Sequence, residues 1–140
     1  FLGENSLVLS DDSGLEVCAL SGEPGVFSAR YAGENASDDE NRKKLLQKLN
    51  EIDSDMSDWS ASFKCVMTLV KGSNKLATFE GSVQCTICDE ERGENGFGYD
   101  SIFIPEGYEN TFAELPSETK NSISHRYRAL EAFKKWLSEV

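Results

Sequence analysis

Residues 62–88 read SFKCVMTLV-KGSNK-LATFEGSVQCTIC, two apolar-rich runs joined by a short polar segment. The runs Ser62–Val70 and Leu76–Cys88 are the two longest strand candidates in the chain. Gly72 and Asn74, in the segment between them, are residues that favour tight turns. The stretch therefore predicts an antiparallel hairpin that forms the main sheet.

Shorter strand and helix signals flank this hairpin. Three further strands are predicted, at Leu7–Ser10, Leu15–Leu20 and Ser101–Ile104. Ser37 and Ser124 are placed as N-caps of two amphipathic helices, the second ending near Glu139. Residues 22–33, with Pro24 and several glycines, favour an ordered loop. Strands interleaved with helices, together with one long hairpin, predict an α/β fold with a mixed, partly antiparallel sheet and flanking helices.

Length and charge narrow the class of protein. A chain of 140 residues fits one domain with one core. Its 14 basic and 25 acidic side chains give a net charge of −11, which disfavours a nucleic-acid partner. No apolar run approaches the roughly 20 residues that cross a bilayer, and no signal-peptide pattern opens the chain. The first residue is Phe1 instead of Met, so we expect the gene product to start upstream.

The four cysteines carry two interpretations. Cys85 and Cys88 have the spacing of half a zinc site or of a redox pair, and a thiol-dependent or zinc protein is one alternative. Zinc would need a second pair, but Cys18 and Cys65 are isolated and His125 is the only histidine. We therefore favour cysteines that pack as small apolar side chains, and a reducing, cytoplasmic location.

An aspartate run in the middle of the chain imitates part of a calcium-binding loop. Asp53, Asp55 and Asp58 resemble its run of acidic residues, with Asp53 and Asp55 at the first and third positions of such a loop. However, Asp58 stands where such a loop has glycine, and Lys64 stands where it has its bidentate glutamate. The sequence predicts no calcium site there.

The segment Asp11-Asp12-Ser13-Gly14 follows the apolar run Leu7–Leu9 and is the first of three that carry chemistry. Adjacent carboxylates at a strand end repel each other, and a divalent cation offsets that repulsion. A magnesium ion held there would keep positions for phosphate oxygens, so Asp11 and Asp12 are candidate metal ligands. The alternative is a turn in which Asp and Ser bond their own backbone and Gly14 takes a positive φ.

The second segment, Gly93–Asp100, has three glycines around two aromatic rings. Such a loop lets a flat ligand approach the backbone, with Phe97 or Tyr99 as a stacking surface and Asp100 accepting hydrogen bonds. The alternative is a mobile loop pinned by two buried rings.

The third segment, Lys120–Arg126, places His125 and Arg126 in the first turn of the last helix if Ser124 is its N-cap. Cations are unfavourable at that end of a helix, so Arg126 there indicates a bound anion or an electron-rich carbonyl. The alternative is that Arg126 pairs with a nearby carboxylate. Together the three segments suggest a site for a nucleotide with phosphates.

Four blocks of the chain resemble the inosine triphosphate pyrophosphatase family. They are SDDSGLEV at 10–17, PGVFSARYAGE at 24–34, GENGFGYD at 93–100 and KNSISHR at 120–126, in family order. The resemblance implies hydrolysis of ITP, dITP and XTP to the monophosphate and pyrophosphate, with Mg²⁺, by a homodimer. It also implies a fold with two lobes around a nucleotide cleft.

The same resemblance assigns roles to individual residues. Asp12 matches the family's metal-associated proton acceptor and Ser13 a substrate contact. The base-side loop and the other substrate contacts are matched by Phe97, Gly98, Tyr99, Asp100, Lys120, His125 and Arg126. Donors such as Arg126 and Lys120 would bond the 6-keto oxygen of hypoxanthine or xanthine and would face an amine in adenine.

The chain also departs from the family pattern. Residues 1–140 are expected to be a single domain that lacks the family's opening strand, its T-G-N-x-x-K phosphate loop and the helix that follows. An inactive nucleotide-binding or assembly module derived from the family is therefore the alternative function. Cys18 stands where Asp is common and Ser101 where Pro is common.

Overall fold

The hairpin predicted from residues 62–88 is the centre of the sheet in the computed structural model, which describes residues 3–52 and 58–140. The strands are β1 (Leu7–Val17), β2 (Pro24–Gly25), β3 (Ser60–Lys71), β4 (Asn74–Ile87) and β5 (Phe103–Pro105). The helices are α1 (Asp38–Ile52), α2 (Ser117–Ile123) and α3 (His125–Glu139). Short 3₁₀ turns occupy Cys18–Leu20, Ser28–Arg30 and Asp100–Ile102.

The sheet has the strand order β2-β1-β3-β4-β5. The long hairpin pairs Ser60 with Thr86 at one end and Lys71 with Asn74 at the turn, where Gly72 takes a φ of 59°. The α/β class and the central hairpin are confirmed. Every strand pairing between the described residues is antiparallel, so the parallel pairs of a mixed sheet do not occur among them.

Strand β1 corrects the prediction for the acidic segment. The sequence indicated two short strands separated at Asp11-Asp12, but β1 is continuous and pairs with β3 from Leu7↔Lys71 to Val17↔Ala61. Both the strand end and the alternative turn are therefore wrong. An unbroken ladder to a long partner strand outweighs the local preference of Asp, Ser and Gly for turns.

Helices α1 and α3 pack on the sheet, and their apolar residues belong to two clusters of buried side chains. Leu45 and Leu49 of α1 are fully buried in the larger cluster. Ala129 of α3 is buried in the smaller one, beside Met67 and Phe79. Burying a leucine side chain fully is worth about 2 kcal/mol.

Both predicted helix starts are confirmed by their caps. The Ser37 hydroxyl accepts from the Glu40 N–H at 3.1 Å, and the Glu40 carboxylate accepts from the Ser37 N–H at 3.3 Å. This reciprocal pair is a capping box. At α3, the Ser124 hydroxyl accepts from the Tyr127 N–H at 3.1 Å. The short helix α2 was not predicted, because its seven residues carry no apolar repeat.

Two further predictions, on the packing of the cysteines and on the last strand, can be compared with the structure. Cys85 is buried in β4, and burial raises the pKa of its thiol, as packing predicts. The predicted strand Ser101–Ile104 is shorter, since Asp100–Ile102 forms a 3₁₀ turn before β5. Asp53 and Asp55, for which the sequence predicted no calcium site, lie outside the described residues.

No described helix has the length and apolar character that crossing a bilayer requires.

Candidate functional site

A cavity of about 470 Å³ opens between the glycine-rich loop, the start of α3 and strand β1. Eight residues that the sequence marked as substrate contacts line it: Ser13, Phe97, Gly98, Tyr99, Asp100, Lys120, His125 and Arg126. These residues come from three segments that are far apart in the chain. The volume lies within the range of pockets that bind small organic ligands.

The two aspartates predicted as metal ligands lie on opposite faces of strand β1. Side chains of a strand alternate between the faces of a sheet. Asp11 is paired with Met67, whose side chain is buried, whereas Asp12 is paired with Val66 on the other face. Neither aspartate lines the cavity. This alternation does not favour a single cation held by both carboxylates, and Asp11 and Asp12 as joint metal ligands stay a prediction.

Asp11 is instead the partner of Arg126. The Arg126 Nε donates to Asp11 Oδ2 at 2.7 Å, and both side chains are about half exposed. This is the alternative that the sequence left open for Arg126, a pair with a nearby carboxylate. An exposed pair of this kind contributes less than about 1 kcal/mol, so the guanidinium is not held tightly.

His125 lies deeper in the cavity wall than Arg126. Its ring stacks on Phe63 with centroids 4.9 Å apart. Burial, together with the nearby cations of Arg126 and Lys120, lowers its pKa to about 4. His125 is thus neutral at pH 7, so of these two residues only Arg126 carries a charge at the start of α3. Its Nδ1 atom is buried without a hydrogen-bond partner among the described residues.

Asp100 and Lys120 form an ion pair at the base of the glycine-rich loop. Lys120 Nζ lies 2.5 Å from Asp100 Oδ2, and the Phe97 N–H donates to the same oxygen at 3.1 Å. Asp100 was expected to accept from a ligand, but Lys120 and the loop backbone already use this oxygen. An ammonium has three N–H donors, so Lys120 keeps further donors for a ligand.

The two rings of the glycine-rich loop have different roles. Tyr99 is buried, and its hydroxyl donates to the Ser28 carbonyl at 2.7 Å. Phe97 is 68% exposed, with its ring 4.8 Å from Lys120 Nζ. The alternative of a loop pinned by two buried rings is therefore correct for Tyr99 only. Phe97 is left as an open aromatic wall.

Two residues of α1 that the sequence did not mark contact the same loop. The Gly98 N–H donates to Asp38 Oδ2 at 2.9 Å, and Arg42 Nη1 donates to the Gly98 carbonyl at 2.6 Å. Asp38 also lines the cavity. An acidic residue in the first turn of a helix is explained by the helix dipole, and nothing local to Asp38 indicates a partner 60 residues away.

The described residues contain no group of three or more His, Cys, Asp or Glu side chains placed to hold a metal ion. Asp12 is exposed, and its side chain has no hydrogen-bond or ion-pair partner within the described ranges. Magnesium is often bound by one or two carboxylates, with waters and substrate phosphates completing its shell. The single carboxylate of Asp12 fits that mode of binding, and a cage made of protein ligands alone does not form here.

Comparison with known proteins gives consistent matches. Residues 2–136 match the sequence profile of the Ham1 family. The dITP/XTP pyrophosphatase of Staphylococcus aureus strain MRSA252 is 46% identical over 134 residues, which are 96% of this chain and 67% of that protein. The dITP/XTP pyrophosphatase of Desulforamulus reducens is 50% identical over 131 residues, 94% of this chain and 63% of that protein.

Solved structures match equally well. The Ham1 protein of Staphylococcus aureus superposes with a TM-score of 0.89 at 46% identity, over 96% of this chain and 68% of that one. A HAM1 protein from Coxiella burnetii gives 0.88 at the same identity and coverage. The chain thus spans about two thirds of the length of the relatives that it matches.

Proposed function

Because the chain belongs to the Ham1 family, we propose that it acts as a nucleoside triphosphate pyrophosphatase on deaminated purine nucleotides. The proposed substrates are ITP, dITP and XTP, and the products are the monophosphate and pyrophosphate. The observation that carries the proposal is the cavity, which gathers eight predicted substrate contacts from three distant segments. The names of the dITP/XTP pyrophosphatases among its relatives support dITP and XTP among these substrates.

The base is proposed to enter between Phe97 and the start of α3. Phe97 offers an exposed ring face for stacking, and Lys120 and Arg126 supply N–H donors at the cavity wall. Hypoxanthine and xanthine carry a 6-keto oxygen that accepts from such donors. Adenine carries an amine there, which would leave the donors unpaired, and sites of this kind discriminate by up to about 10⁴-fold.

The phosphates are proposed to run from the cavity over the edge of β1 towards Asp12. Strand β2 pairs only with Leu15 and Glu16, so the outer edge of β1 is free of a described strand at Asp12. Asp12 would hold the Mg²⁺ ion together with the phosphates. When bound, the cation neutralises the triphosphate, which a protein of net charge −11 otherwise repels.

Asp12 is also proposed to act as the proton acceptor. The oxygen of a water molecule attacks the α-phosphorus, and the proton passes to the Asp12 carboxylate. The bond between the α-phosphorus and the oxygen that bridges to the β-phosphorus breaks, and pyrophosphate leaves with the electron pair. Asp11, which is bound to Arg126, takes no part in this step.

We further propose a cytoplasmic homodimer. The family resemblance supports the dimer, and the free thiols of Cys18, Cys65, Cys85 and Cys88 are consistent with a reducing compartment. Sedimentation equilibrium of the purified chain tests the dimer directly.

The activity is tested by the initial rate of pyrophosphate release from ITP with Mg²⁺, with ATP as the comparison substrate. We expect release from ITP to exceed release from ATP by at least about 100-fold, since an unpaired buried donor is costly. We expect Asp12→Asn to abolish release from ITP. Binding of ITP without any pyrophosphate release would instead identify the inactive nucleotide-binding module.

A further inference from the structure

We propose that Asp38 and Arg42 of α1 are positioning residues, which anchor Gly98 and thereby fix the Phe97 side of the base cavity. The inference rests on the proposed function in that the ligand is taken to be a deaminated purine nucleotide. Neither residue belongs to the sequence blocks that resemble the pyrophosphatase family.

The two side chains hold both polar groups of one residue. Asp38 Oδ2 accepts from the Gly98 N–H at 2.9 Å, and Arg42 Nη1 donates to the Gly98 carbonyl at 2.6 Å. Asp38 and Arg42 are four residues apart, so they project from the same face of α1. Hydrogen bonds in which one partner is charged are about twice as strong as neutral ones.

Arg42 also connects the helix to the far end of the loop. Its Nε donates to Glu91, and the Ser101 hydroxyl donates to the same Glu91 oxygen, the latter at 3.0 Å. The Arg42 side chain is only 17% exposed. Residues 98–101 are therefore tied to α1 at both ends.

The helix that carries this anchor is itself fixed. Leu45 and Leu49 are fully buried in the main apolar cluster. Asn41, also buried, donates to the Ala29 carbonyl at 3.0 Å and accepts from the Ala32 N–H at 2.8 Å. The start of α1 is thus a rigid support for the loop.

Gly98 needs such a support. It takes a φ of 59°, and a Cβ built on it would meet nothing within 4 Å. The side of Gly98 on which a Cβ would lie is therefore open and gives no packing support, and a glycine has many other conformations open to it. The neighbouring Phe97 is 68% exposed and its ring contacts Lys120, so the position of the ring depends mainly on the backbone. A ligand that binds to a loop already ordered loses less conformational entropy.

The test compares Asp38→Ala with Asp39→Ala. Both substitutions remove an acidic side chain from the first turn of α1, so their effects on the helix dipole are matched. Only Asp38 contacts Gly98. Asp39 pairs with Lys43 at 2.8 Å and, at the longer distance of 3.9 Å, with Arg42. Asp38→Asn is the conservative variant, since its amide oxygen still accepts from the Gly98 N–H.

Two quantities are measured for each variant: amide hydrogen exchange of the peptide covering residues 95–101, and the calorimetric Kd for IMP. We expect Asp38→Ala to speed exchange and to raise the Kd, each by about 10-fold, as for loss of one charge-assisted hydrogen bond. Asp39→Ala should leave both the exchange rate and the Kd within about twofold of wild type. Asp38→Asn should recover at least half of the change that Asp38→Ala causes in the logarithm of each quantity.

Unchanged exchange in Asp38→Ala would overturn the anchor, and so would faster exchange with an unchanged Kd. A uniform loss of exchange protection over the whole chain would also overturn it, because Asp38 would then support the fold in general. If wild-type protein fails to bind IMP, the proposed function falls. The exchange comparison of the two alanine variants then still decides whether Asp38 orders the loop.

Discussion

Arg126 Nε lies 2.7 Å from Asp11 Oδ2, so the guanidinium at the start of α3 is bound to a carboxylate of β1. This contact explains how a cation is tolerated at the positive end of a helix, since the carboxylate offsets both charges. It also takes Asp11 out of the set of free carboxylates beside the proposed phosphate path. The neighbouring residue Asp12 keeps no such partner among the described residues.

The first prediction separates the two aspartates. Asp11→Asn should leave the Mg²⁺ concentration for half-maximal pyrophosphate release within about twofold of wild type, because the Asp11 carboxylate pairs with Arg126 instead of with the metal ion. It should lower the free energy of unfolding by less than about 1 kcal/mol, as expected for an exposed pair. A magnesium titration of ITP hydrolysis measures the first quantity. A large rise in the magnesium requirement would make Asp11 a metal ligand after all.

The second prediction concerns the ion pair between Lys120 and Asp100. Asp100 is buried, so Lys120→Met leaves its carboxylate without a counter-charge. We expect a loss of about 3 kcal/mol in the free energy of unfolding, measured by urea denaturation.

The double variant Lys120→Met with Asp100→Asn is the control for that loss. Removing both charges should recover most of the lost stability, because no unpaired charge then remains buried. Losses that simply add between the two single variants would show that the residues do not interact.

The third prediction is a pH dependence set by His125. Its pKa is about 4 in the folded protein and 6.5 in the unfolded chain, so the unfolded state binds more protons between these values. The stabilisation is complete above pH 6.5 and is lost as the pH falls to 4, by on the order of 3 kcal/mol. Urea denaturation across this range should show a steeper decline for wild type than for His125→Gln. Parallel curves would contradict the assignment.

The fourth prediction concerns the close packing of α3 against Gly81 of strand β4. A Cβ at Gly81 would lie 2.3 Å from both the Ala129 N and the His125 carbonyl oxygen, so Gly81→Ala must push the helix away. We expect a loss of about 2 kcal/mol or more in stability, together with weaker IMP binding, because α3 begins at the cavity. Gly3→Ala is the matched control, since nothing lies within 4 Å of its Cβ position. Equal effects of the two substitutions on stability and on IMP binding would refute this account of how α3 packs on the sheet.

Features that depend on nearby residues were predictable from the sequence. The capping serines Ser37 and Ser124 and the turn at Gly72 lie next to the elements that they delimit. The substrate contacts came from motif resemblance, and the cavity brings eight of them together.

Features that depend on distant residues were not predictable in this way. The continuity of β1 through Asp11 and Asp12 is imposed by its ladder to β3, against the turn preference of the residues themselves. The bonds from Asp38 and Arg42 to Gly98 join positions about 60 residues apart, and α1 alone explains both side chains as helix surface. Neither feature leaves a local sequence signal, because each arises only when separate segments pack.

The central claim, that this cavity receives the base of a deaminated purine nucleotide, is tested most directly by calorimetric titration with IMP and with AMP. Lys120 and Arg126 line the cavity as donors, so IMP should bind at least about 30-fold more tightly than AMP. In a chain carrying both Lys120→Met and Arg126→Met, that difference should disappear. Equal affinity of the wild-type chain for IMP and AMP, or a preference that survives both substitutions, would contradict the claim.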